Sequence, residues 1–177
     1  MKKFITAAIF ALAALPSAAA LTDPQQATLA AHVRANTDPV VVSALAQRND
    51  SALAQHYNGA STCIVWRSNV PPSEYREAIV WTAVDGLTNG KARIWEWITQ
   101  GMTAPIDGTK ANIRQGIADA WGAASATGVA LQAVAKRPAS RAENLWTSGA
   151  CTTANPALMT WEGPLQVNDL SDALNKY

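Results

Sequence analysis

The sequence has few of the residues on which active sites and metal centres usually depend. It contains two histidines, His32 and His56, and two cysteines, Cys63 and Cys151. It has no C-x-x-C, H-E-x-x-H or acidic calcium loop, and no serine stands in a G-x-S-x-G motif. We therefore predict no catalytic residue, no cofactor-binding residue and no metal site, with each histidine on a surface or at a helix end.

An excess of charge and long apolar runs are also missing. The chain carries 14 basic and 13 acidic side chains, so it lacks the positive surface that nucleic-acid binding normally requires. No apolar segment reaches the roughly 20 residues that a membrane-spanning helix needs. We expect no nucleic-acid partner, and no membrane association once the first 20 residues are removed.

The first 20 residues have the three parts of a secretory signal peptide. Lys2 and Lys3 provide the positive start, residues 4–15 are apolar, and residues 17–20 are small, as at a cleavage site. The segment predicts removal of residues 1–20 and a periplasmic or secreted domain over 21–177. An uncleaved anchor is the alternative, and a nonfunctional signal would leave the protein in the host cytoplasm or in a virion.

Cys63 and Cys151 have no second cysteine or histidine at metal-ligand spacing. In an oxidising compartment the simplest interpretation is one long-range disulfide, worth about 4 kcal/mol in the chain-entropy model. Two free buried thiols are the alternative, and a reducing cytoplasm would favour them.

The periodicity of apolar residues predicts a mainly α fold, a compact multi-helix single domain with a small β element. Helix starts are indicated at 22–24 and 37–39, where Thr-Asp-Pro recurs, and at Ser140, which heads a capping box. Further helices are predicted over 73–85 and 127–136. Strands are predicted near 62–70 and 157–167, and we expect the two strands to pair beside the cysteine bridge.

Tryptophan is the least ordinary component, because both phenylalanines lie within residues 1–20. The seven tryptophans are Trp66, Trp81, Trp95, Trp97, Trp121, Trp146 and Trp161. Most are expected to replace Phe in the core, with two or three rings at the rim. Since Trp and Arg are frequent interface hot spots, Trp66, Arg67, Trp95 and Trp97 are the candidate interaction residues.

A carboxylate pair beside exposed tryptophans would be the alternative, an exported hydrolase acting on sugars. The available acids are Glu74, Glu77, Asp85, Glu96, Asp119, Glu143 and Glu162. Most of them stand next to Arg or Lys on predicted helix faces, which is typical of a charge-paired surface. Two carboxylates within about 10 Å in a Trp-lined cleft would favour the hydrolase.

Several central segments resemble short proteins encoded by tailed bacteriophages and prophages. The segments are Val65-Trp66-Arg67, Glu74-Tyr75-Arg76-Glu77-Ala78, Gly90-Lys91-Ala92-Arg93-Ile94-Trp95-Glu96-Trp97, Pro105-Ile106-Asp107 and Asn112-Ile113-Arg114. The likeness extends over about 21–177 and implies a place among virion structural genes. It brings no catalytic residues with it.

The resemblance and the signal peptide point to different compartments, because virion components assemble in the host cytoplasm. Three resolutions are open. The protein is a phage-derived domain exported to the periplasm, or a cytoplasmic assembly protein with an extended N terminus, or the resemblance is coincidental. In each we favour a non-enzymatic module that binds a protein partner or copies of itself.

Overall fold

The computed structural model describes residues 20–99 and 104–177, so the predicted signal peptide, apart from Ala20, lies outside the described residues. The prediction of a mainly α fold with a small β element is confirmed. The helices are α1 (Asp23–Ala35), α2 (Pro39–Ala46), α3 (Asp50–Asn58), α4 (Pro72–Ala78), a 3₁₀ helix (Trp81–Gly86), α5 (Asn89–Thr99), α6 (Ala111–Trp121), α7 (Ala126–Val134), α8 (Arg141–Asn144) and α9 (Val167–Lys176). The strands are β1 (Ala60–Trp66), β2 (Lys136–Ser140), β3 (Thr147–Ser148) and β4 (Leu158–Met159).

The first helices begin where their capping residues predict. The side-chain oxygen of Gln25 accepts a hydrogen bond of 2.9 Å from the backbone N–H of Thr22, which precedes α1. Asp38 caps α2 by accepting from the N–H of Val40 at 2.8 Å. Each cap pairs a backbone N–H that the helix itself leaves unpaired. Residues close in sequence therefore determine where each helix begins.

Strand β1 runs antiparallel to β2, with Val65 opposite Arg137 and Trp66 opposite Lys136. The expectation that 62–70 pairs with 157–167 holds only at one point, a parallel bridge between Val65 and Ala157 on the other edge of β1. Within 157–167 the only strand is β4, which pairs with β3 instead.

Two predicted helices, over 73–85 and 127–136, differ from the helices observed there. The predicted helix over 127–136 ends at Val134, and the next residues join β2. The predicted helix over 73–85 divides into α4 and the 3₁₀ helix. The chain is extended at Ile79 between them, and the N–H of Val80 donates to Thr127 Oγ1 at 3.2 Å. Two β-branched residues in succession weaken the helix at this point.

Cys63 and Cys151 form the predicted disulfide, with their Cα atoms 4.4 Å apart. The N–H of Ile64 also donates to the carbonyl oxygen of Cys151 at 3.0 Å. Cys63, Val65 and Ala157 are buried together at this junction. The bridge therefore fixes the loop before β4 to the edge of β1 that β2 leaves open.

The buried side chains form two larger clusters on different parts of the chain. We call the first the terminal core: Leu21, Leu29, Ala30, Val33, Val41, Ala44, Leu53, Ala54, Tyr57, Ala142, Trp146, Trp161, Leu165, Leu170 and Ala173. We call the second the central core: Val70, Tyr75, Ile79, Ile106, Ile117, Ala120, Trp121, Leu131 and Ala135. The terminal core uses both ends of the described chain, whereas the central core lies wholly between β1 and β2.

Within the described ranges, no helix is long and apolar enough to cross a lipid bilayer.

Candidate functional site

The tryptophans divide by exposure much as the sequence predicts. Trp121, Trp146 and Trp161 are buried, Trp66 and Trp95 are half-buried, and Trp81 and Trp97 are 63% and 67% exposed. Most of the rings therefore serve the two cores. The two exposed rings both belong to the segment between α4 and α6.

Trp95, one of the four candidate interaction residues, faces inward from α5. Its ring lies edge-on to Tyr75 and to Trp121, with centroid distances of 6.5 and 5.6 Å. Edge-on aromatic contacts of this kind stabilise a core beyond the burial of their area. Trp95 therefore packs onto the central core.

Arg67, at the end of β1, is held by contacts within the chain. Its guanidinium forms a two-pronged ion pair with Glu74 of α4, one N–O distance being 2.9 Å, and donates to the carbonyl oxygen of Val134 at 3.0 Å. The hydrogen bond from Arg67 lowers the pKa of Glu74. Arg67 thus ties β1 to α4 and to the end of α7.

Trp66 is contacted by two cations. The guanidinium carbon of Arg114 lies 4.6 Å from the ring centroid, and the ammonium nitrogen of Lys136 lies 5.1 Å from it. Arg114 also donates to the carbonyl oxygens of Gly108 and Thr109 at 2.9 and 2.6 Å. These cation–π contacts fasten the loop before α6 to β1, so Trp66 has a structural partner on its ring.

Trp97 differs from the other three candidates because its ring is largely exposed on α5. The guanidinium carbon of Arg93, one helical turn earlier, lies 5.8 Å from its centroid. Ile94 and Ile98 approach α6, where a Cβ added at Gly116 would meet Ile98 Cδ1 at 2.8 Å. Trp95 and Trp97 are two positions apart in the helix and therefore lie on opposite sides of α5.

Gly90, Arg93, Glu96 and Trp97 recur at helical spacing along one exposed side of α5, next to the side that contacts α6, and we call them the outer face of α5. All four are exposed. Sequence reasoning selected Trp97, within Trp95-Glu96-Trp97, and missed Arg93. The signal was present in the helical spacing, which separates Arg93 from Trp97 by four residues.

The outer face belongs to a longer stretch of chain that has no buried residue. From position 80 to position 99 every side chain is exposed or half-exposed. The apolar members of this stretch are Val80, Trp81, Ala83, Val84, Leu87, Ala92, Ile94, Trp95, Trp97 and Ile98. Val84, Leu87, Ile94, Trp95 and Ile98 pack partly against the central core, whereas Val80, Trp81, Ala83 and Trp97 are exposed.

One pair of carboxylates lies close enough to be compared with a hydrolase site. Arg137 Nη2 donates to Glu143 Oε1 at 2.7 Å and to Glu162 Oε1 at 3.0 Å, so the two carboxylates are within a few ångströms of each other. Glu143 is 3% exposed and also accepts from the N–H groups of Ser140 and Gly163. Proximity alone would thus satisfy the distance criterion.

The chemistry of this pair does not suit acid–base catalysis. Burial raises the pKa of Glu143, but hydrogen bonds from Arg137, Ser140 and Gly163 outweigh burial and lower it. A general acid needs a raised pKa and a free proton-bearing oxygen, and a sugar cleft needs aromatic walls. The adjoining cavity, about 340 Å³, has no tryptophan in its lining. The network joins the end of β2 to α8 and the loop at 162–164.

Among residues 20–99 and 104–177, no group of three or more His, Cys, Asp or Glu side chains is placed to hold a metal ion. Comparison of the chain with protein-family models, with curated proteins and with solved structures finds no match.

Proposed function

We propose that this protein is a non-enzymatic interaction or assembly module that binds a protein partner through the outer face of α5. The observation that carries the proposal is Trp97, which is 67% exposed in a 20-residue stretch without a buried side chain. The apolar side of α5 that the fold needs already packs against α6. Trp97 is thus available to a partner without disturbing the central core.

The composition of this face supports a protein partner. Tryptophan and arginine are enriched among the residues that dominate interface energies, and a buried Trp contributes roughly 150–250 Å² of contact area. Arg93 and Glu96 add one charge of each sign beside the ring. A face of this kind fits a protein surface better than an anion or a nucleic acid, which would require a surplus of positive charge.

We further propose that the module acts outside the cytoplasm, in the periplasm or after secretion. The Cys63–Cys151 disulfide supports this location, because such bonds persist in oxidising compartments. The resemblance to phage proteins supports a phage-derived ancestry, with assembly in a virion as the alternative setting. An intact mass of the protein from the periplasmic fraction tests the location and the disulfide. It would show loss of residues 1–20 and of two thiol hydrogens, and an unprocessed cytosolic chain would contradict the location.

Site-specific photocrosslinking tests the proposed surface. A photoreactive amino acid replaces Trp97 in one variant and Val129 in a matched control. Val129 is 55% exposed on α7 and lies outside the 80–99 stretch. The full-length variants are expressed in the producing cells and irradiated there.

We expect a discrete protein adduct from position 97 and none from position 129. Adducts of equal yield and pattern at both positions, or none at position 97 in a chain that folds normally, would contradict the proposed function. The mass of the adduct, less the mass of this chain, gives the mass of the partner.

A further inference from the structure

We propose that the partner of the outer face of α5 is a second copy of this chain, with the two α5 helices packed antiparallel about a twofold axis. This inference rests on the proposed function and names the occupant of the same surface. In such an isologous contact both copies use the same surface, so every contact away from the twofold axis occurs twice. The outer face must therefore be complementary to itself.

The charges on the face meet that requirement. Arg93 and Glu96 are both exposed and lie on the same side of α5. Side chains on a helix lean toward its N terminus. A twofold axis that crosses the helix near Arg93 therefore brings the guanidinium of one copy to the Glu96 carboxylate of the other, and the pair forms twice. A parallel arrangement would instead place like charges beside each other.

Gly90 supplies the complementary shape for Trp97. Among the described residues a Cβ at Gly90 would meet nothing within 4 Å, so no close contact there requires glycine at this position. Glycine also weakens a helix relative to alanine. In the antiparallel pair the leaning indole of Trp97 lies over Gly90 of the other copy, where the missing side chain lets the ring approach the backbone.

The size of this contact sets its strength. One face of an 11-residue helix, with the half-exposed residues beside it, buries less than a standard interface of about 1,600 Å². We therefore expect a reversible, concentration-dependent dimer. Sedimentation velocity of the purified protein over a range of concentrations measures it directly.

Charge reversal tests the pairing. Arg93→Glu and Glu96→Arg each place like charges opposite each other and should weaken the dimer by about tenfold or more. The double variant Arg93→Glu with Glu96→Arg restores opposite charges across the axis and should recover dimerisation. Circular dichroism of all three variants reports whether the fold is retained. Two folded single variants that dimerise like the unaltered protein would overturn the proposal, as would a folded double variant that stays monomeric.

Filling the glycine position tests the shape. Gly90→Gln should weaken the dimer by a similar factor while leaving the monomer as helical as before. Gly86→Gln is the matched control. Among the described residues a Cβ at Gly86 also meets nothing within 4 Å, but Gly86 ends the 3₁₀ helix and lies outside α5. Equal weakening by both substitutions would overturn the packing of Trp97 over Gly90 of the other copy.

The two proposals fail separately. A protein that is monomeric at every concentration, yet yields an adduct with a different protein from position 97, keeps the proposed function and overturns self-association. A dimer that survives Gly90→Gln and both single charge reversals also overturns the α5 contact. Absence of any adduct from position 97 in producing cells overturns the proposed function itself.

Discussion

The terminal core and the 80–99 segment contain similar apolar side chains but cover them very differently. In the terminal core Leu29, Leu53 and Leu170 are completely inaccessible to solvent. In the 80–99 segment no side chain is buried, although it includes three tryptophans. Apolar content alone therefore does not decide burial. The number of elements that close over a side chain decides it.

The connections between elements explain the contrast. Helices α1, α3 and α9 close over one another, and Asn58 exchanges two hydrogen bonds with the backbone of Leu165, at 2.9 and 2.7 Å. Lys176 adds an ion pair to Asp23 at 2.7 Å. Helix α5 packs chiefly on α6 and leaves its other side open. Local stability is expected to follow the same division, with α5 opening more readily than α1 or α9.

The largest effect should come from removing the disulfide that joins the two parts of the chain near β1. Cys63→Ala with Cys151→Ala releases a loop of 88 residues and should lower the free energy of unfolding by about 4 kcal/mol. Urea unfolding of the purified protein measures the change. Reductant added to the unaltered protein is the control and should act in the same direction. An unchanged midpoint in both would mean that the bridge contributes nothing to stability.

A pair of tryptophan substitutions tests the contrast most directly. Trp121→Ala removes a buried ring from the central core and should cost about 3–5 kcal/mol. Trp97→Ala removes an exposed ring and should change the free energy of unfolding by less than about 0.5 kcal/mol at monomeric concentrations. Chemical denaturation of both variants compares them. A large loss from Trp97→Ala would show that this ring serves the fold of the single chain.

Two ion pairs allow the same comparison for charge. Glu143→Gln leaves Arg137 without its buried partner and should cost about 3 kcal/mol. Glu74→Gln breaks a half-exposed pair with Arg67 and should cost less than about 1 kcal/mol. Thermal and urea unfolding report both values. Equal losses would mean that the two pairs are equally shielded from water.

The smallest effect is a pH dependence that Glu143 adds to stability. Because the pKa of Glu143 in the folded protein lies below its ordinary value of 4.5, the folded state binds this proton less readily than the unfolded state. The contribution is present above pH 4.5 and is lost as pH falls through the folded pKa. The slope due to this group stays below about 1.4 kcal/mol per pH unit. Unfolding of Glu143→Gln across the same range should lack it, and an identical acid profile would contradict the assignment.

Sequence reasoning succeeded where the deciding interaction is local. The capping residues Thr22, Asp38 and Ser140 each bond within three residues of themselves, so their helices begin where predicted. The disulfide could also be predicted from the sequence, since two cysteines allow only one bridge within the chain. These features need no knowledge of the tertiary fold.

Most of the failures involve partners outside the segment concerned. Strand β2 reads Lys-Arg-Pro-Ala-Ser, a charged segment with a proline, and becomes a strand because β1 lies beside it. The roles of the candidate site residues were equally hidden. Trp66 and Arg67 appear from sequence as a hot-spot dipeptide, but Arg114 and Glu74 hold them in place. Only Trp97, whose neighbours lie on its own helix, kept the exposure that an interaction role needs.

The pairing of Trp66 with Lys136 places the entry and the exit of residues 67–135 side by side. Everything between them, including the central core and the outer face of α5, leaves the sheet at one point and returns to the same point. Such an arrangement lets evolution exchange or resize the intervening stretch as a cassette while the two strands and the terminal helices keep their places. Residues 67–135 and the terminal helices can therefore diverge at different rates in one chain.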